Sequence, residues 1–455
     1  MHAAADTLVA AATAPAPAGV AIVRLSGPRA IAIAARLAGR PESALVHGHM
    51  RFGALRDGAG GVLDRGYTVA FRGPRSFTGE DVAEFHVHGS PAVVARVIEA
   101  ACALGARPAA AGEFSARAFH YGRLDLVQAE ALMDLVSARS ESARLAALDH
   151  LDGALGRRLL ALRQPLLAIL ADLEARLDFG SEDGVGEVDR VQLIRTIAEL
   201  AADIEALRAT ARAGRVRLHG ARVVLFGAPN AGKSTLFNAL CGADRALVDA
   251  RPGTTRDTIE VLAAPEGVPL TWVDTAGVRD TADPVEAQGT ARARAEAAHA
   301  DVVLWLQDGA APPCTLPDPG AGDSLPVVLD VCSKADQGAH PQVAAQPRWQ
   351  AALRVSAHTG QGVAALQAAV VAAVRALAEP GRTNGVAITR ERHAEGLRQA
   401  SEALLRAGDA LGEGLPLELV AADVRDAADA LGEMTGAVVA DDVLAAVFSR
   451  FCIGK

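Results

Sequence analysis

The sequence predicts a multidomain α/β chain: a doubly wound domain at residues 215–382, inserted into an all-α helical domain (123–214 and 383–455) and preceded by an α+β domain at 1–122. Three textures along the chain predict this. Up to about residue 122, strand candidates such as "GVAIVRL", "GYTVAF" and "VAEFHVHG" are punctuated by Gly and Pro, an α+β pattern. From "LDLVQAEALMDLVSARSESARLAALDHL" to about Arg212, and again from Thr389 to Gly436, apolar residues recur at helical spacing with charges between them. Between these stretches lie buried parallel-strand candidates at 223–226, 270–273, 302–306, 327–331 and 353–355, alternating with helices. A doubly wound domain with helices on both sides reads as an insertion whose flanking halves pack together.

Bulk composition narrows the function. At 455 residues, 50% apolar and 22% charged, the chain suits several domains with sizeable cores. A net charge of −9 excludes a protein that coats nucleic acid by charge alone, though not one with local basic patches. The 5 cysteines are dispersed without a C-x-x-C pair, which predicts reduced thiols. The opening "MHAAADTLVAAATAPAPAG" lacks the basic front of a signal peptide, and no uncharged apolar run reaches the roughly 18 residues of a membrane span. The expected setting is the cytoplasm, with no membrane partner. Of the 45 Lys and Arg residues, lysine appears only at Lys233, Lys334 and Lys455, which points to chemistry that arginine does not supply.

"RVVLFGAPNAGKST" is a buried strand followed by G-x-x-x-x-G-K-[ST] and a helix; the match runs Gly227, Gly232, Lys233, Ser234. Glycines let backbone N–H groups close around phosphates, and the helix N-terminus adds positive potential. Lys233 supplies a point charge to the β- and γ-phosphates, and the Ser234 hydroxyl suits Mg2+. Downstream, "PGTTRD" offers Thr255 as a second hydroxyl for the metal, and "LTWVDTAG" ends a strand on Asp274 with Gly277 beyond it. "VVLDVCSKAD" and "LRVSAHTG" end further strands on Lys334, Asp336, Ser356 and Ala357. All these elements sit at carboxyl ends of strands, where open α/β sheets bind ligands. This is a Ras-like P-loop G domain.

Asp336 selects the base. A carboxylate accepts from the N1–H and the exocyclic amine of guanine, whereas adenine offers an acceptor and no amine at that edge. The nucleotide is therefore GTP, with the stem of Lys334 over the base plane. Ser333 stands where the Asn-Lys-x-Asp pattern of translation-factor-related GTPases has Asn, which predicts a weaker tie between base and phosphate loop. Val278 stands where a Ras-type enzyme carries its water-orienting glutamine. Two substitutes are on offer. Asn230 can hold a monovalent cation beside the phosphates, in place of an arginine finger. Glu286 is either an ordinary solvated acid or a group that positions water.

Taken together, "DTLVAAAT", "IVRLSG", "SFTGEDVAEFHVHG", "AGEFSARAFHYGRLDLVQAEAL", "LDFGSEDG", "GAPNAGKSTLFN", "PGTTRD", "DTAGVRDTADPVEAQG" and "FSRFCIGK" resemble, in this order, the MnmE (TrmE) family of tRNA-modification GTPases. The resemblance implies GTP contacts from Asn230, Ala231, Gly232, Lys233, Ser234 and Thr235 in the phosphate loop. It extends them to Asp249, Ala250, Arg251, Pro252, Gly253, Thr254 and Thr255, and to Asp274, Thr275, Ala276 and Gly277. Ser333, Lys334, Ala335, Asp336, Ser356, Ala357 and His358 complete the set around the base. It further implies Mg2+ on Ser234 and Thr255, K+ on Asn230, Asp249, Arg251 and Thr254, and the water-positioning role for Glu286, with Lys233 catalytic. For the N-terminal domain it implies homodimer formation and a 5-formyl- or methylene-tetrahydrofolate bound by Arg24, Glu84, Arg123 and Lys455. The pterin presents the same N–H/NH2 edge as guanine, so Glu84 suits it as Asp336 suits the base, while the cations suit ligand carboxylates and carbonyls.

Arg123 stands where the family commonly has Lys, and "PAPAG" where it has a Gly-rich loop. The implied reaction adds an aminomethyl or carboxymethylaminomethyl group to C5 of the wobble uridine of certain tRNAs. It requires a separate FAD-dependent partner, MnmG (GidA), in a heterotetramer or larger complex. The "CIGK" ending would then carry a catalytic Cys452 and Lys455 to the folate site. The rival expectation is a regulatory GTPase of ribosome assembly whose N-terminal domain only binds. His86 and His88 alternate on one strand face and, without a third ligand in view, read as packing or turn residues.

Overall fold

The computed structural model describes residues 6–15, 17–179, 188–242, 259–274, 295–314, 325–379 and 386–454. The chain divides into two compact units: Met1–Met133 with His150–Ala198 and Glu402–Lys455, and Asp134–Asp149 with Glu199–Ser401.

The first unit is built on a six-stranded sheet of order β3-β4-β5-β2-β1-β6. Its strands are β1 (Thr7–Ala11), β2 (Ala18–Ser26), β3 (Arg51–Arg56), β4 (Val62–Phe71), β5 (Val82–Gly89) and β6 (Ala106–Pro108). The pairs are antiparallel except β1 with β6. Strict alternation decides which face is covered. Val23 and Leu25 on β2 and Ala83, Phe85 and Val87 on β5 are buried beneath helices α1 (Ala30–Leu37) and α2 (Pro91–Ala103). Arg24, Glu84 and His86 alternate onto the opposite face. "GVAIVRL", "GYTVAF" and "VAEFHVHG" thus form strands, and β1, β3 and β6 join them. In the same unit the 26-residue helix Ala154–Phe179 packs along Leu417–Thr435, where the Arg163 guanidinium donates to the Ala428 carbonyl at 2.8 Å and Arg425 pairs with Glu174.

The second unit holds a six-stranded sheet of order β12-β11-β10-β7-β9-β8. These strands are β7 (Ala221–Gly227), β8 (Ile259–Ala263), β9 (Leu270–Asp274), β10 (Val302–Asp308), β11 (Val327–Ser333) and β12 (Leu353–Arg354). All five expected strands are present and parallel. The sixth, β8, is an antiparallel edge strand that the sequence pattern did not disclose. Both faces are covered, which explains the continuous apolar runs. Val223, Leu225, Val302, Leu304 and Leu306 enter one core, while Val224, Phe226, Val303 and Trp305 enter the other. No helix among the described residues is long and apolar enough to cross a membrane.

Leu304 is fully buried at the centre of the second sheet. Leu304→Ala is expected to destabilise this unit by about 3 kcal/mol, read as a shift in the denaturant midpoint at unchanged slope.

Candidate functional site

Parallel pairing lines up the ends of the second sheet. Register sets Leu306 beside Gly227, Leu225 beside Asp274 and Asp308 beside Ser333, so the connections that follow these strands emerge along one edge. The phosphate loop leaves β7 at Gly227 and enters a helix at Lys233 (Lys233–Gly242). Asn230 takes the left-handed conformation (φ 61°), one of three non-glycine residues among those described that do so. The Lys233 ammonium donates to the carbonyls of Gly227 (3.0 Å) and Ala228 (2.8 Å), so it sits inside the loop that it is expected to serve. Asp274 ends β9 almost fully buried.

The loop that carries Asp336 is braced from three sides. The Ser333 hydroxyl lies 2.7 Å from the Ala231 carbonyl of the phosphate loop and 3.2 Å from the Gln307 carbonyl. The single donor of serine is thus used on the phosphate loop. Behind Ser333, the Ala335 N–H donates to the Val355 carbonyl at 3.0 Å. The hydroxyl of fully buried Ser356 and a backbone N–H hold the exposed Asp336 carboxyl below the usual carboxylate range. A lowered value keeps the acceptor form down to acidic pH and loses it only as pH falls through that value. At neutral pH Asp336 therefore presents two acceptor oxygens. Ala357 and His358 follow Ser356 in the same turn, and Ser234 and Thr235 follow Lys233 in the first turn of the helix.

Asp249, Ala250, Arg251, Pro252, Gly253, Thr254, Thr255, Thr275, Ala276, Gly277, Glu286 and Lys455 lie outside the described residues.

A second cluster lies on the face of the first sheet opposite α1 and α2. Arg24 and Glu84 are register partners across β2 and β5, and the Arg24 Nε donates to Glu84 Oε1 at 2.8 Å. The His86 Nε2 lies 3.3 Å from the other oxygen, Glu84 Oε2, while His88 engages Asp64 at 2.9 Å. The Arg24 guanidinium stands over the rings of Phe77 (5.4 Å) and Phe114 (5.9 Å). Neither aromatic follows from motif spacing, although both fall within quoted segments.

The segment carrying Phe77 is pinned by a buried network. Ser26 Oγ is 2.6 Å from Thr78 Oγ1 and 2.8 Å from Glu80 Oε2, and Arg117 reaches Glu80 at 3.0 Å and Asp6 Oδ1 at 2.6 Å. Burial, then the neighbouring Glu80 charge, pushes the Tyr121 phenol up, so it remains a donor to Glu80. The Arg123 stem packs at Gly79 of this segment, two residues from Phe77. Arg24, Glu84 and Arg123 therefore share one support.

The tail docks on the same unit. Phe448 and Phe451 are buried with Leu126 and Ala129, and Ile453 forms an antiparallel bridge with Ala111. Gly454 has φ 93°, and a Cβ there would overlap the Ala11 carbonyl oxygen. Ala11 adjoins Ala10, the register partner of Arg24. Cys452, between these anchors, is exposed.

Two family models match the chain, "GTP-binding protein TrmE N-terminus" over residues 7–123 and "MnmE helical domain" over residues 126–452. A tRNA modification GTPase MnmE of Thermus thermophilus is 44% identical over 455 residues, covering 99% of this chain and 99% of its own. That of Rhodospirillum rubrum is 46% identical over 465 residues, again covering 99% of each. Among solved structures, the G domain of the T. maritima FeoB iron transporter is 19% identical, covering 35% of this chain and 99% of that one with a TM-score of 0.23.

Asp336 is the residue expected to accept from the guanine amine, and Asp336→Asn replaces that acceptor by a donor. Affinity for GTP is expected to fall about a hundredfold, and xanthosine triphosphate, with a carbonyl at that position, to bind more tightly to the variant than GTP does. Competition against a fluorescent guanine nucleotide checks both.

Proposed function

The chain belongs to the MnmE (TrmE) family, and on that premise we propose that it is a GTP hydrolase acting in tRNA modification. The bridge from Ser333 to Ala231 carries the nucleotide part: it joins the loop that presents Asp336 to the loop that carries Lys233. Asp336 accepts from guanine, and Lys233 leaves its two loop carbonyls for the β- and γ-phosphate oxygens, where its charge opposes the negative charge of the transferred group. Ser234 and Thr255 would hold Mg2+ through their hydroxyl oxygens, donors of the kind that ion takes, and Asp274 at the end of β9 is a carboxylate suited to its surroundings. Asn230, Asp249, Arg251 and Thr254 hold K+, with the Asn230 side chain and backbone carbonyls as the neutral oxygen donors that suit it. Bound Mg2+ and K+ neutralise charge on the phosphates. Glu286 orients the attacking water, the part that Val278 does not fill.

The N-terminal cluster fits a reduced folate. Glu84 has one donor on each oxygen and lone pairs left on both for a pterin N–H/NH2 edge. Arg24, Arg123 and Lys455 meet the carbonyl and carboxylate oxygens of the ligand. When bound, the folate supplies the one-carbon unit. The tail, whose Ile453 pairs with Ala111, would carry Cys452 and Lys455 to the folate site. With a flavin-dependent MnmG partner, the homodimer adds the aminomethyl or carboxymethylaminomethyl group to C5 of wobble uridine.

Two outcomes are expected. Hydrolysis by the purified chain is at least about tenfold faster in KCl than in NaCl at equal ionic strength, because the smaller sodium is poorly coordinated by the same donors. Cys452→Ser abolishes the wobble modification in cellular tRNA, measured by nucleoside mass spectrometry, at an unchanged GTP hydrolysis rate. Retained modification favours instead a regulatory GTPase of ribosome assembly with a non-catalytic N-terminal domain, or an inert tail.

A further inference from the structure

We infer that Asp308, the last residue of β10, is a positioning residue of the guanine site that holds Lys334 in place for the base. The inference rests on the guanine-nucleotide reading above. Asp308 and Ser333 are register partners at the ends of adjacent parallel strands, and Lys334 is the next residue beyond Ser333. Lys334 takes the left-handed conformation (φ 56°), and its ammonium meets Asp308 Oδ2 at 2.6 Å. The carboxylate is not free to follow the lysine, because its other oxygen accepts from the Ala310 N–H at 2.9 Å.

The turn that carries Asp308 is itself strapped to the base loop. The Gly309 N–H donates to the Ser333 carbonyl at 2.9 Å, and the His340 N–H donates to the Gly309 carbonyl at 2.7 Å. A Cβ at Gly309 would stand 2.8 Å from the Ser333 carbonyl oxygen, so glycine permits this approach. On the other side, the Gln307 amide donates to the Asp308 carbonyl at 2.8 Å and its oxygen accepts from the Cys314 N–H at 3.1 Å. Asp308 therefore projects from a rigid corner.

The arrangement is spent on positioning rather than stability. The Lys334 side chain is 32% exposed, and a solvent-accessible ion pair of this kind adds little to folding. A lysine stem with four rotatable bonds must, however, be ordered before it can lie along a base plane, and fixing it beforehand removes that cost from binding. The need is sharpened by Ser333, whose single hydroxyl donor is engaged on the phosphate loop. Asp308 supplies the lateral brace.

The test uses the full chain and the dissociation rate of a fluorescent GDP. Asp308→Ser keeps an acceptor for the Ala310 N–H and removes the charge; it is expected to dissociate the nucleotide about tenfold faster at an unchanged melting temperature. Asp308→Asn carries the same expectation should the serine variant unfold. In a Lys334→Ala background, the Asp308 substitution is expected to add no further loss, because its effect passes through the lysine. Unchanged dissociation in the single variants, or losses that multiply in the double variant, overturns the inference. Binding by the unaltered chain, measured first, reports separately on the guanine reading; if the unaltered chain binds no GDP, both fall.

Discussion

The register of four parallel strands is the constraint on which the nucleotide site depends. β7, β9 and β10 are buried on both faces, with alternate residues entering different cores, and β11 buries its carboxyl end, with Val331 in one core and Cys332 in the other. A slip of one residue would send Leu304 into the core of Trp305 and carry every strand end out of line. Held in this register, Gly227, Asp274, Asp308 and Ser333 end their strands on one edge, and all the nucleotide chemistry follows from what comes next in the chain. The hydroxyl of Ser333 then joins two of those connections directly. Burial in the sheet sets the distances at its edge.

The N-terminal cluster depends on a comparable condition in antiparallel form. Arg24 and Glu84 are 60 residues apart, and only the pairing of β2 with β5 makes them neighbours on a shared face. Beneath them, the buried Arg117–Glu80 pair and its hydroxyl partners hold the segment on which Phe77 and Arg123 rest. An ion pair so buried is tolerated because both Glu80 oxygens and both Arg117 terminal nitrogens have hydrogen-bond partners. The tail is held by apolar packing of Phe448 and Phe451 and by a close glycine contact, which leaves the Cys452 thiol outside the packed part.

Much of this was legible in the sequence where one local rule dominates. The phosphate loop announces itself because its geometry demands glycines at set positions, and the five parallel strands because double burial writes continuous apolar runs. β8 was not legible: "IEVLA" is a short edge strand whose pairing is decided by β9. β1, β3 and β6 escaped for the same reason, since three to six residues carry too little periodicity to outweigh tertiary pairing. The scarcity of lysine singled out Lys233 and Lys334, but their partners are carbonyls and a carboxylate brought together only by the fold. Ser333 shows the limit most clearly. Its bond to Ala231 depends on where the fold sets the two loops, which no local pattern discloses.

The central claim is that guanine is selected by the ionised Asp336 on a loop tied to the phosphate loop through Ser333. Displacement of a fluorescent guanine nucleotide from the full chain by unlabelled GTP, inosine triphosphate and ATP tests it most directly. GTP is expected to compete most tightly, inosine triphosphate, lacking the exocyclic amine, to be weaker by about tenfold or more, and ATP to fail at roughly a thousandfold excess over GTP. Displacement by ATP at concentrations near those of GTP would contradict it.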